Sequence, residues 1–124
     1  MGGGSTGSVR PSAAVAAEAV PGASGVVRQV LVGPSEGSDG FAIRRFIFAP
    51  GGSMPMHTNE VEHGQYVLAG EADVVIGGEA RRVRAGDAVF IPSGAPHTYK
   101  PVGETPFEFL CVVPNRPDKT TILG

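Results

Sequence analysis

Only three histidines occur in the 124 residues of this chain, His57, His63 and His97, and they lie in two short stretches. The first, Gly52–Gly70, reads GSMPMHTNEVEHGQYVLAG, and the second, Gly86–His97, reads GDAVFIPSGAPH. Neutral imidazole is the commonest protein ligand for metal ions and suits Zn, Cu, Fe and Ni. Both stretches are rich in strand formers and turn residues, so a β-scaffold could build one metal site from two distant pieces of chain. His57 and Asn59 are two positions apart, and on a strand both side chains leave the same face. His63, Gln65 and Val67 form a second same-face set, with a turn expected through Glu60–Glu62. If the two strands are neighbours in a barrel, His57, Asn59 and His63 converge on one point inside it.

The same residues carry a family resemblance. The chain resembles a small single-domain cupin, whose first motif runs Gly, five residues, His-x-His, three or four residues, Glu, six residues, Gly. Here Gly51 or Gly52 opens the motif, His57 takes the first His position, and Gly70 closes it. Asn59 stands where the second His is usual, and His63 where the Glu is usual. The second motif runs Gly, five residues, Pro-x-Gly, two residues, His, three residues, Asn. Gly86, Pro92, Gly94 and His97 match it in register, while Pro101 replaces the closing Asn. The His63 substitution is similar to the four-histidine cupins, which bind manganese or another divalent ion; Asn59 departs from that subgroup.

The resemblance implies an all-β jelly-roll barrel with a metal site inside it. It implies His57, His63 and His97 as ligands of a divalent transition metal, with Mn, Fe, Cu, Ni and Zn all open. Asn59 is then a fourth ligand or a residue that positions water, with a loop-capping amide as the alternative. Gln65 and Tyr99 share strand parity with His63 and His97 and are candidates for the substrate cavity. Glu60 and Glu62 alternate with the ligand positions and are expected in solvent. The activity implied is a dioxygenase-like oxidoreductase acting on a small molecule. A metal-dependent isomerase or lyase, or a cupin that captures a small ligand without turnover, are the alternatives.

Composition sets the frame. The length suits one domain with a single core. A formal net charge of −2 offers no electrostatic case for nucleic acid or an anionic membrane. Nineteen Gly and eleven Pro suit many short strands joined by tight turns. One cysteine excludes an intrachain disulfide, and Cys111, inside the apolar run Phe107–Val113, is expected in the core. No apolar run approaches the ~20 residues that span a bilayer, and the cytoplasm is the expected compartment.

The elements that must position these residues can be placed in order. Residues 1–23 read as a flexible leader with a disordered front, and Ala13–Val20 as a helical turn or edge segment. Residues 24–118 read as the barrel and 119–124 as a tail. Strands are expected at Val26–Val32 and Phe41–Phe48, followed by a turn at Pro50–Gly52. Arg44 and Arg45 fall on opposite faces of the second strand, and a structural salt bridge is expected for them ahead of substrate anion binding. Gly77–Gly78 between Ala72–Ile76 and Glu79–Arg84 is a two-residue hairpin signal, with Arg81, Arg82 and Arg84 protecting an edge. Later strands are expected at Ala88–Ile91, Pro96–Lys100 and Phe107–Val113. About nine short strands without a long helix read as a sandwich or barrel. Val26–Val32 or Phe107–Val113 would then form an apolar edge covered in a homodimer.

Overall fold

A computed structural model describes residues 6–124, so the expected disorder of the first five residues lies outside the described part. Among the described residues eleven strands form: β1 (Glu18–Ala19), β2 (Ser24–Val32), β3 (Phe41–Ser53), β4 (His57–Asn59), β5 (His63–Ala69), β6 (Glu71–Ile76), β7 (Glu79–Arg84), β8 (Ala88–Ile91), β9 (His97–Val102), β10 (Phe107–Pro114) and β11 (Thr120–Ile122). They make two antiparallel sheets, ordered β1-β2-β3-β10-β5-β8 and β11-β4-β9-β6-β7. This is the jelly-roll barrel expected from the motifs. Among the described residues no helix is long and apolar enough to cross a membrane.

Strand alternation explains what fills the space between the sheets. Along β3, Ala42, Phe46 and Phe48 are buried while Phe41 is exposed. Along β10, Phe107, Phe109, Cys111 and Val113 are buried, and along β5, His63, Gln65 and Val67. Tyr99 stacks on Phe109 with ring centroids 5.0 Å apart, and Phe46 on Phe109 at 5.2 Å. Each such ring removed from water contributes roughly 1.5–3 kcal/mol. Phe48, Phe107, Val67 and Val74 are almost wholly buried and close one end of the barrel. The other end is left to the polar residues described below.

Four sequence expectations change. β4 and β5 are not neighbours; they belong to different sheets, and their side chains meet across the interior. Pro50–Gly52 does not end the second strand. It forms an irregularity within β3, where the β2 register shifts between Ser24 and Val26, and Gly52 packs so closely on Gly25 that a Cβ would lie 2.8 Å from its carbonyl. Phe107–Val113 is no edge, because β10 is paired on both sides, with β3 and β5. The boundaries at 23 and 119 also cut through paired structure. β1 pairs with β2, and β11 pairs with β4. Gln29 donates to the carbonyls of Ser12 (2.8 Å) and Val15 (2.9 Å), and Arg10 bridges to Glu36 at 3.0 Å, so the leader is fastened along β2 from Arg10 onward. Polar residues without an apolar pattern reach the sheet here through side-chain to backbone bonds, which periodicity does not register.

Other expectations hold. Gly77 and Gly78, both at positive φ (58° and 85°), turn β6 into β7, and β7 is the edge of its sheet. There Arg82 bridges to Asp73 at 2.7 Å and Arg81 to Glu79 at 2.6 Å, on exposed side chains. Gly70, which closes the first motif, sits at φ +78°, and a Cβ there would lie 2.3 Å from the Pro106 carbonyl oxygen. Gly70→Ala is therefore expected to destabilise the fold by more than about 1 kcal/mol. Gly40→Ala, with open space around its Cβ and no positive φ, is expected to be neutral or slightly stabilising. Urea midpoints of the two variants check the contrast, and equal midpoints would refute it.

Candidate metal centre

His57 and His97 face each other across the single β4–β9 pairing, with ring centroids 4.2 Å apart. His63 approaches from β5 in the other sheet, 5.8 Å from His97 between centroids. The backbone fixes the tautomer of two of these rings. Nδ1 of His57 lies 2.9 Å from the Pro55 carbonyl oxygen, and Nδ1 of His97 lies 2.9 Å from that of Ala95. A carbonyl only accepts, so Nδ1 carries the proton and Nε2 keeps its lone pair. In each case the acceptor is two residues upstream, just before the strand begins, where the ladder does not use it.

The Nε2 atoms of His63 and His97 are buried without a hydrogen-bond partner, and so is Oδ1 of Asn59. Asn59 shares its face with His57 as expected. Its Nδ2 donates to Asp118 Oδ2 at 2.9 Å and to Thr120 Oγ1 at 2.8 Å, which settles the amide orientation, since a carboxylate cannot donate. Burial pushes the pKa of both His63 and His97 down to about 4; for His63 the Arg44 charge lowers it further, while for His97 the bond to Ala95 opposes the shift. Both rings are thus neutral at pH 7. Among the described residues no three His, Cys, Asp or Glu side chains are already closed around one point. The three rings nevertheless line one cavity, and the orphaned nitrogens of His63 and His97 fit a metal ion better than they fit an apolar core.

That cavity has a volume of about 120 Å³, against the ~10–15 Å³ that one water needs. His57, Asn59, His63 and His97 line it together with Phe46, Tyr99 and Phe109. Gln65 and Tyr99 both line the cavity, and Gln65 Nε2 donates to the Tyr99 hydroxyl at 2.7 Å. Burial raises the Tyr99 pKa, which keeps it a phenol. Cys111 is buried, as expected. Glu60 and Glu62 are exposed, also as expected.

Asp118 and Arg44 also line the cavity, although the sequence motifs place neither of them in the site. Asp118 accepts from the backbone N–H groups of Glu60 (2.8 Å) and Val61 (3.3 Å) as well as from Asn59, and it borders the site. It stands at the last position of the expected barrel, 24–118, and no motif marks it. Of Arg44 and Arg45, it is Arg45 that makes the expected salt bridge, to Glu108. Arg44 instead points into the cavity, its Cζ 5.2 Å from the Phe46 ring centroid. The signal was its shared parity with Phe46 and Phe48.

Comparison with known proteins agrees with this architecture. Residues 44–113 match the cupin-domain family. The polyketide cyclase RemF from Streptomyces resistomycificus superposes with a TM-score of 0.85 at 33% identity, covering 94% of this chain and 87% of that one. An oxalate-binding protein from Thermotoga maritima is 36% identical over 70 residues, which are 56% of this chain and 58% of the relative. A 1-methylthio-D-xylulose 5-phosphate methylsulfurylase from Rhodospirillum rubrum is 31% identical over 94 residues, 76% of this chain and 59% of the relative. The matches to these two curated relatives thus span somewhat over half of their length. Motif spacing, barrel topology and the family match converge: the chain belongs to the cupin family.

Proposed function

We propose that this cupin is a divalent-metal-dependent protein that takes a small molecule into its barrel and acts on it beside the histidines. One observation carries the reading. Three buried polar atoms lining one cavity, His63 Nε2, His97 Nε2 and Asn59 Oδ1, lack any partner. Each buried orphan costs roughly 1–3 kcal/mol, so a cluster of them marks a place that something else completes. His57, His63 and His97 would hold the ion, with Asn59 Oδ1 as a fourth donor or as the acceptor that orients a water. Such an ion supplies Lewis acidity toward a substrate oxygen. The chain's own part is to bind and to exclude water. Tyr99, held by Gln65, offers a neutral hydroxyl in the cavity, which the rings of Phe46 and Phe109 also line.

The 33% identity to a polyketide cyclase along 94% of this chain favours cyclase, isomerase or lyase chemistry. A dioxygenase-like oxidoreductase is the second reading, supported by a nitrogen donor set that suits redox-active Fe or Cu. Oxygen consumption by Mn-, Fe- and Cu-loaded protein with candidate small molecules separates the two. Capture without turnover is the outcome if neither product nor oxygen uptake is found.

A homodimer is part of the proposal. Tyr66 and Leu68 of β5, Phe90 of β8 and Val112 of β10 are large, exposed and apolar on adjacent strands. Gly64 is paired with Val112 on one side and with Phe90 on the other, which makes the patch continuous. An apolar patch of this kind on a soluble protein usually marks an interface. Sedimentation at tens of micromolar is expected to give a dimer for the wild type and a monomer for Tyr66→Glu/Phe90→Glu; a monomeric wild type would overturn this.

Metal titration tests the ligand set. His57→Ala, His63→Ala and His97→Ala are each expected to weaken zinc binding by more than about 100-fold, because losing a ligand exceeds the 10–100-fold cost of losing a ligand's supporting partner. Their unfolding should stay cooperative, since the apolar end of the barrel is untouched. Asn59→His should tighten binding of Mn, Ni or Cu, and Asn59→Ala should weaken it less than any histidine deletion. Wild-type affinity in His63→Ala would sink the assignment.

The buried imidazoles also make a pH prediction for metal-free protein. His63 and His97 have folded pKa values of about 4 against an ordinary 6.5, so between those limits the unfolded chain binds more protons. Their contribution is complete above pH 6.5 and is lost as pH falls toward 4, by up to about 1.4 kcal/mol per pH unit for each ring. Urea unfolding at pH 7 and pH 5 should show a smaller drop for His63→Gln than for wild type. An equal drop would mean that His63 is not buried as a neutral ring.

A further inference from the structure

Arg44 is the second unsatisfied feature of the cavity. Its Nε is buried without a partner, and its Nη2 reaches only the Cys111 sulfur, at 3.7 Å. Sulfur is a weak acceptor and leaves a guanidinium largely uncompensated. Among the described residues no carboxylate forms an ion pair with Arg44, whereas its neighbour Arg45 has Glu108. Asp118, the carboxylate of the cavity, is already engaged. One oxygen takes the Glu60 and Val61 N–H groups and the other takes Asn59. Arg28 of β2 lines the same cavity and adds a second positive charge.

A partly buried cation whose Nε is shut off from water is best retained where it is paired, and a guanidinium edge of Nε–H and Nη–H matches the two oxygens of a carboxylate. The surroundings narrow the class further. The guanidinium lies over Phe46, which stacks on Phe109, and Phe109 stacks on Tyr99. That column of stacked rings ends at Tyr99, whose ring lies 5.9 Å from that of His97. Arg44 and the three histidines line the same cavity, so one small molecule can meet both. We infer that Arg44 is a substrate-binding residue that docks the carboxylate of a small organic acid with an apolar body, leaving that body against the aromatic residues and directed at the histidines. This inference deepens the proposed small-molecule site and names its substrate class, but the Arg44 contact does not itself need the metal.

The test uses benzoate as the probe and benzamide as its uncharged match, followed by calorimetry or ligand-observed NMR. Both are titrated into chelator-stripped and zinc-loaded protein. Benzoate is expected to bind the stripped wild type, and Arg44→Gln to weaken that binding by about ten-fold or more, the range for losing a charge-assisted pair. Arg44→Lys should retain part of the affinity, because it keeps the charge and loses the fork. Benzamide should bind more weakly and be indifferent to Arg44→Gln. Arg44→Met, which keeps the packing on Phe46, serves if Arg44→Gln fails to fold, as judged by circular dichroism. Equal benzoate affinity in wild type and a folded Arg44 variant would overturn the inference. So would absence of benzoate binding in both metal states, or displacement of benzoate by inorganic phosphate at equal concentration. If zinc does not bind but Arg44-dependent benzoate binding persists, the metal reading fails and the carboxylate site stands.

Discussion

Two backbone carbonyls, those of Pro55 and Ala95, determine what the interior of this barrel can do. Each accepts the Nδ1 proton of the histidine two residues downstream. With that proton committed, Nε2 of His57 and His97 remains a lone-pair donor. Burial then acts on charge, holding His63 and His97 neutral down to about pH 4. Tautomer and protonation state are thus set by different causes, one local in sequence and one dependent on the closed barrel. Neither requires the ion to be present, so the rings are prepared before any ligand arrives.

Such a polar interior is tolerated because the strands divide it by depth. β3 runs from Phe48 at the closed end to Arg44 at the cavity, and β5 from Val67 to His63. β10 runs from Phe107 to Cys111. Each of these three strands therefore contributes both to the apolar floor and to the site above it. Packing at the floor fixes the height of each polar residue, since alternation leaves no freedom to move one without its strand. The unsatisfied groups at the top are carried by burial at the bottom.

This arrangement explains what the sequence disclosed. Histidine parity and the glycine–proline skeleton were readable, because both express local backbone geometry. Gly70 is the clearest case: its positive φ and its contact with Pro106 leave no room for a side chain. The Gly77–Gly78 hairpin was readable for the same reason. Strand partnership was not, so β4 and β5 looked like neighbours although they face each other from separate sheets. Arg44 stood in the open, sharing parity with Phe46 and Phe48, but the opposite face of the same strand carries Phe41, Ile43 and Ile47. With two apolar faces, parity alone does not say which one is inside. Asp118 was beyond reach altogether, because its role arises from contacts some sixty residues away, to Asn59 and Glu60 (58–59 positions).

The chain ends give the site its remaining asymmetry. β11 lies along β4, and Val20, Pro21 and Ile122 line the same cavity as the histidines. Gly22 packs so near Ile122 that a Cβ would stand 3.3 Å from its Cδ1, so leader and tail meet there. Asp118, brought in by the tail, takes one N–H of Asn59 and Thr120 takes the other. An amide has two donor hydrogens on one atom and an acceptor on the other. Saturating the nitrogen from the tail side leaves Oδ1 alone on the cavity side. An imidazole at this position would keep the logic, giving one ring N–H to Asp118 and presenting its other nitrogen inward. What Asn59 changes is therefore the strength of the inward donor, and the tail that orients it has become part of the site.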